Sequence, residues 1–101
     1  MTSQERKERF DAIARIGCVV CRIYKGVHTE PHIHHLTGLK YRSMGKKADD
    51  ANSVGLCVWH HQGGSDEPSI HGTPAAFEEQ FGTQEWLLDA QNKMIEAARI
   101  V

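Results

Sequence analysis

Histidine and cysteine are concentrated in one part of this chain, and both residue types can do chemistry there. The sequence has 7 histidines and 3 cysteines in 101 residues, and most of the histidines lie between His32 and His71. Imidazole nitrogen and thiolate sulfur are common ligands of transition metals, and imidazole also exchanges protons near neutral pH. The composition therefore indicates metal binding, acid–base chemistry, or both.

Two pairs of these residues have the same spacing. Cys18 and Cys21 are separated by two residues, as are Cys57 and His60. Two such half-sites brought together provide four protein ligands, which suits a tetrahedral zinc ion closed off from water. We therefore predict a structural Cys3His zinc site. Zinc-coupled folding would stabilise a domain of this size, whose core is modest.

Other interpretations of the cysteines remain open. An odd number of cysteines does not allow a complete disulfide framework. The thiols could instead be small buried hydrophobic groups, or Cys18 and Cys21 could form a redox pair. Neither alternative explains the second half-site at Cys57 and His60, so the zinc site is favoured.

The polar residues that remain follow a recognisable order, in which a histidine pair, a Gly-containing loop, an asparagine and a last histidine succeed one another. This order resembles zinc-bearing HNH (His-Me finger) endonucleases over roughly residues 18–71. Within that superfamily the chain looks most like the phage-associated, RecA-dependent Ref-like nucleases. The segments that carry the resemblance are His34-His35, Met44-Gly45-Lys46-Lys47 before Asp50, Asn52 to His61, and Ile70-His71-Gly72.

The resemblance implies a role for each of these residues. His35 would be the general base, and Asn52 would hold the strand that bears it or orient its imidazole. Magnesium, manganese or zinc would be the catalytic divalent ion, and Asp50 is a rival oxygen ligand that hard ions would favour. Hydrolysis of a phosphodiester needs one base and one metal, which this set supplies. The implied ligands of the catalytic ion are His34, His61, His71 and Asp50.

Three points stay open at this level. Adjacent residues of a regular strand point to opposite faces, so only one of His34 and His35 can face a pocket unless a bulge or the strand end redirects the other. Asn52 could serve only local hydrogen bonding in a turn. The sequence has His60 where HNH half-sites commonly have a second cysteine, so either His60 or His61 could bind either metal.

The helices and strands predicted around these residues indicate an α+β fold. It would have a ββα-metal core, a zinc knuckle and flanking N- and C-terminal helices. Thr2 and Glu5 form a capping box at the start of a helix that Gly17 can end. Short strands are predicted at residues 23–27, 32–36 and 54–58, and a brief helix at 59–62. Two further helices should start after Thr73 and Thr83, which are suitable N-caps.

Length and composition limit the organisation of the chain. With 101 residues, 40% hydrophobic and 25% charged, it should form one folded domain, residues 1–101. No apolar run could cross a bilayer and no signal-peptide core is present, so we expect a cytoplasmic protein without a membrane partner. The formal net charge of −1 argues against a protein that simply coats DNA.

Positive charge is nevertheless concentrated locally, in the loop before Asp50. This basic segment could contact DNA phosphates, or it could be a solvated loop that only keeps the protein soluble. Its members are Lys40, Arg42, Lys46 and Lys47.

The favoured function is a metal-dependent DNA endonuclease. A non-catalytic zinc-knuckle adaptor that binds nucleic acid or protein is the alternative, but it would not need His34, His35 and His61. A nuclease that acts on RNA, or one whose activity requires a RecA-type recombinase filament, is a third possibility. Because few phosphate contacts give weak binding, a filament would help to hold such a domain on DNA.

Overall fold

The computed structural model describes residues 1–41 and 49–100. In these residues the chain forms helices around one small antiparallel sheet, so the α+β class is confirmed at that level. The elements in chain order are α1 (Ser3–Ile16), a π-helical turn (Cys21–Lys25), β1 (His32–His35), a 3-10 turn (Leu39–Tyr41), β2 (Ser53–Leu56), α2 (Val58–His61), α3 (Pro74–Phe81) and α4 (Gln84–Ile100).

Helix α1 begins and ends where the sequence predicts. The Thr2 hydroxyl accepts a hydrogen bond from the Glu5 backbone N–H at 3.1 Å, and the Glu5 carboxylate accepts one from the Thr2 N–H at 2.9 Å. Gly17 ends the helix with a φ of 81°, which a residue with a side chain rarely adopts. The buried face of the helix carries Ala12, Ile13 and Ile16.

The strand predicted at residues 23–27 is wrong. The chain there forms the π-helical turn Cys21–Lys25, which Gly26 ends in the left-handed conformation. The chain is already wound before this turn, because the Cys18 carbonyl accepts a hydrogen bond from the Arg22 N–H at 2.9 Å. Winding the chain here turns both cysteine side chains toward the interior, and this requirement outweighs the β-propensity of the segment.

The sheet is formed by β1 and β2 alone among the described residues. The strands are antiparallel, with His32 opposite Leu56, His34 opposite Val54 and His35 opposite Ser53. Pairing is continuous through all four positions of β1, so the strand has no bulge. The two faces of β1 therefore receive alternate histidines.

An isolated two-stranded sheet is only marginally stable, and helices support this one from the outer edge of β2. The Gln91 amide of α4 is fully buried, accepts a hydrogen bond from the Gly55 N–H at 2.8 Å and donates one to the Ser53 carbonyl at 2.9 Å. A Cβ on Gly55 would lie 2.7 Å from the Ile13 side chain. The strand therefore packs directly on α1, which only glycine permits.

The remaining helices agree with the sequence except in one cap. Thr83 caps α4, because its hydroxyl accepts a hydrogen bond from the Trp86 N–H at 3.0 Å. The Thr73 side chain does not cap α3; its hydroxyl instead accepts a hydrogen bond from the Ser69 N–H at 3.0 Å. Pro74 still starts α3 and Gly82 follows its last residue.

The core lies between the π-helical turn, the sheet and the two C-terminal helices. Phe77, Phe81 and Leu87 belong there to one buried cluster with Val54 and Leu56 of β2 and all three cysteines. Within residues 1–41 and 49–100, no helix is both long and apolar enough to cross a bilayer.

Candidate metal centres and the histidines of β1

The two half-sites predicted from the sequence meet in the core. Cys18, Cys21, Cys57 and His60 are all buried, and their potential ligand atoms lie within 4.8 Å of one another. Cys21 begins the π-helical turn and Cys18 lies just before it, whereas the step from β2 into α2 supplies Cys57 and His60. All three cysteines are free thiols.

The spacing of these atoms fits a tetrahedral metal. His60 Nδ1 lies 3.5 Å from the Cys18 sulfur, 3.6 Å from that of Cys21 and 3.3 Å from that of Cys57. The sulfurs of Cys21 and Cys57 are 3.9 Å apart. Ligands at zinc–sulfur and zinc–nitrogen bond lengths around one tetrahedral centre are separated by about 3.5–3.8 Å. The cluster can therefore hold a metal ion, consistent with a structural metal.

Burial of the Cys3His cluster also favours a bound cation. It raises the pKa of the Cys18 thiol to about 12, chiefly because a thiolate is poorly solvated there. The neighbouring cysteines raise this pKa further. A divalent cation would compensate for this cost, because metal ligation deprotonates a thiol outright.

The second nitrogen of His60 faces an ion pair. His60 Nε2 is buried without a hydrogen bond among the described residues, and Glu67 Oε1 lies 3.5 Å away. The other carboxylate oxygen of Glu67 pairs with Lys25. Lys25 belongs to the π-helical turn and Glu67 follows α2, so this ion pair connects the two halves of the Cys3His cluster across the protein surface.

A second group of potential ligands consists of three histidines. His34, His61 and His71 offer nitrogens within 4.8 Å of one another. His34 comes from β1 and His61 from the last position of α2. The chain then returns beside α2, because the Ile70 N–H donates to the His60 carbonyl at 2.8 Å and the His71 N–H donates to the His61 carbonyl at 3.1 Å. These two bonds bring His71 to the cluster.

Two histidines of the trihistidine cluster, His34 and His61, have lowered pKa values, which favours their neutral form. Burial, and then the neighbouring His61 and His71, lower the pKa of His34 to about 4. The pKa of His61 is lowered as well, first by burial and then by His71 and His32. His34 Nε2 is buried and has no hydrogen-bond partner among the described residues. A metal ion would satisfy it, since neutral imidazole nitrogen is a common metal ligand.

His35 lies on the opposite face of β1 from the trihistidine cluster. Its Nε2 is 2.8 Å from Asp50 Oδ1, and the two side chains are 27% and 30% exposed. Asp50 is therefore not part of the trihistidine cluster, although the sequence allowed it as an oxygen ligand of the catalytic ion. The regular pairing of β1 explains the separation of His34 from His35.

Asn52 contributes through its backbone. Its carbonyl accepts a hydrogen bond from the Leu36 N–H at 2.9 Å, and its own N–H donates to the Asp49 carbonyl at 2.8 Å. These bonds extend the β1–β2 pairing one step beyond His35. Within the described residues, the Asn52 side chain forms no hydrogen bond.

The basic segment is described only in part. Lys40 lies in the 3-10 turn, with its ammonium 5.3 Å from the centre of the Tyr41 ring. The other residues predicted to contact phosphates lie outside the described part of the chain: Arg42, Lys46 and Lys47.

Sequence reasoning missed several residues that support these sites. His32 Nδ1 lies 3.3 Å from His61 Nδ1, and the i, i+2 relation to His34 could have indicated a shared face. Arg9 of α1 donates to the Ser53 carbonyl at 2.6 Å and to the Asp50 carbonyl at 3.1 Å. No local sequence pattern predicts a contact across more than 40 positions.

Comparison with known protein families identifies the family to which this chain belongs. Residues 2–96 match the family described as recombination enhancement, RecA-dependent nuclease. The chain therefore belongs to this family and is a nuclease, an enzyme that acts on phosphodiester bonds, with a role in recombination. No solved structure matches the chain.

Proposed function

We propose that this nuclease is an HNH-type endonuclease that hydrolyses DNA with the help of a divalent ion held by His34, His61 and His71. The observation that supports this proposal is that the adjacent residues His34 and His35 of β1 have different surroundings. His34 contributes to a cluster of imidazoles suited to a metal, whereas His35, the last residue of β1, is held by a carboxylate on the other face of the strand. A phosphate bound at this end of the strand would lie between the ion and the base, so that His34 serves metal binding and His35 serves proton transfer.

The proposed chemistry follows from these two environments. His35, as a neutral imidazole, takes a proton from the attacking water molecule. When bound, the divalent ion neutralises charge on the phosphate and stabilises the departing oxygen. Asn52 fixes the end of the strand that bears the base, through the bond between its carbonyl and Leu36.

The ligand sets also suggest which metals bind. The Cys3His cluster has the soft donors and tetrahedral spacing of structural zinc. The trihistidine cluster contains only nitrogen donors once Asp50 is assigned to His35, and imidazole favours zinc over magnesium. Manganese or magnesium would need phosphate and water oxygens to complete its coordination.

Dependence on RecA fits the charge of the chain. The formal net charge is −1, so the domain has no general attraction for DNA. A RecA filament would supply the missing affinity by holding the nuclease at its substrate, and the basic segment would contribute local phosphate contacts. We therefore propose filament-bound DNA as the substrate and RecA as the partner.

The non-catalytic adaptor is less well supported. It would need only the Cys3His cluster, and it leaves unexplained a second cluster in which the buried His34 Nε2 has no hydrogen-bond partner within residues 1–41 and 49–100. The family to which the chain belongs is also described as a nuclease.

Cleavage assays separate these functions. Zinc-loaded protein would be incubated with supercoiled plasmid, with single-stranded DNA in a RecA filament, and with RNA, each with added zinc, manganese or magnesium and with none. We expect cleavage of DNA that requires both RecA and a divalent ion. DNA binding without cleavage under every condition would indicate the adaptor, and cleavage of RNA alone would exclude the proposed substrate.

A further inference from the structure

The contact between His35 and Asp50 assigns the hydrogen on the His35 ring. A carboxylate can only accept hydrogen bonds. At 2.8 Å from Asp50 Oδ1, His35 Nε2 must therefore be the protonated nitrogen. The neutral ring then has its lone pair on Nδ1, the only nitrogen able to receive a proton.

Asp50 is itself held from two sides. Its backbone carbonyl accepts hydrogen bonds from Arg9 Nε at 3.1 Å and from the Ser53 hydroxyl. Its second carboxylate oxygen lies 3.9 Å from Arg6 Nη1. These contacts run from α1 to the start of β2 and hold the backbone at Asp50, while the carboxylate itself contacts His35 and, at a longer distance, Arg6.

We propose that Asp50 is the positioning residue of the nuclease, which holds His35 in the tautomer whose Nδ1 accepts the proton. This inference rests on the proposed function, because it presumes that His35 is the base. It also replaces the metal-ligand role that the sequence allowed for Asp50. The carboxylate acts through the imidazole and never contacts the DNA or the metal.

The test uses Asp50→Asn in the full chain. Asparagine has the same shape but no negative charge, so it no longer stabilises the imidazolium that forms on proton transfer. Its amide can donate to Nε2 as well as accept from it, which removes the preference for one tautomer of His35. Removing a correctly oriented general base typically costs about 10²–10⁴ in rate, and we expect a loss of that size in cleavage. Asp50→Glu, which keeps a carboxylate, should recover part of the rate.

Two measurements do not depend on cleavage. Nitrogen-15 NMR of the histidine rings should show His35 protonated at Nε2 in the parent, with a substantial share of the Nδ1-protonated tautomer appearing in Asp50→Asn. Titration with manganese or cobalt should give the same affinity for the trihistidine cluster in both proteins. Asp49→Asn is the matched control, since Asp49 is the adjacent carboxylate and bonds to the Ala51 N–H instead of to His35.

Each outcome decides the question. Reduced metal affinity in Asp50→Asn would make Asp50 a ligand, and an unchanged tautomer or an unchanged cleavage rate would also overturn the proposal. If Asp50→Asn does not fold, Asp50→Glu and Asp50→Ala are compared by the same NMR measurement. Failure of the proposed function looks different, because His35→Ala would then cleave at the parent rate whatever the state of Asp50.

Discussion

His60 and His61 are neighbours in α2, yet they enter different clusters. His60 Nδ1 lies within 3.6 Å of three cysteine sulfurs, whereas the ring of His61 is 4.7 Å from that of His71 and 5.3 Å from that of His34, measured between centroids. A rigid short helix therefore joins the two candidate metal centres. Disturbing the first should displace a ligand of the second, while the reverse effect should be small.

Replacing Cys18 with serine tests the first centre. Hard serine oxygen is a poor ligand for zinc, and a structural zinc contributes directly to folding. We expect the bound zinc to fall from about one equivalent to a small fraction, with a loss of several kcal/mol in the free energy of unfolding. Metal analysis and chemical denaturation measure both. His28→Ala should leave the zinc content unchanged, since the His28 imidazole contacts the Ala14 carbonyl and is not one of the four ligands. Full stability of Cys18→Ser would disprove the zinc assignment.

Alanine substitutions along β1 should separate catalysis from metal binding. His35→Ala should retain the fold and the affinity for metal while losing about 10²–10⁴ in cleavage rate. His34→Ala should instead weaken binding of the divalent ion, so that excess manganese restores part of its activity. Metal titrations and cleavage rates against RecA-bound DNA provide the comparison. A fully active His35→Ala would show that the base lies elsewhere.

His61 and His71 should behave like His34. Both lie in the trihistidine cluster, so their alanine variants should also lose affinity for the catalytic ion. Zinc content distinguishes them from His60→Ala, in which the structural ion should be lost. Equal metal affinity in the parent and in His61→Ala would contradict this division.

Acid should destabilise the fold through buried His34. Its pKa is about 4 in the folded chain, against about 6.5 in an unfolded one. The unfolded state therefore binds more protons between these values, and stability that is present above pH 6.5 is lost as the pH falls toward 4. The loss should approach about 3 kcal/mol at the acid limit. Denaturation curves from pH 7 to pH 5 should be flatter for His34→Gln than for the parent or His28→Gln.

The basic segment should contribute affinity without sequence preference. Neutralising Lys46 and Lys47 together should weaken DNA binding on all sequences alike and lower the salt dependence by about one unit of slope per lost contact. Binding measured over a range of salt concentrations tests this. A changed sequence preference at unchanged affinity would mean that these lysines read bases.

Local signals in the sequence predicted much of the framework. The capping box of Thr2 and Glu5 and the equal spacing of the two half-sites depend on nearby residues, and the structure places both as expected. The strand predicted at 23–27 is wrong because the chain winds into a π-helical turn that buries Cys18 and Cys21 in the core, and this packing outweighs local propensity. The partner of His35 was also missed, since it depends on how the turn at Asp50 folds back on β1.

The ends of the β1–β2 connection are fixed independently of what lies between them. Tyr41 donates a hydrogen bond to Glu85 of α4 at 3.2 Å, and Asp49 is bound by the Asn52 N–H. Closing a longer flexible loop costs only about 0.6 kcal/mol for each doubling of its length. Substitutions that change how the enzyme holds DNA can therefore be made between these two fixed ends, at residues 42–48, while His34 and His35 stay in place.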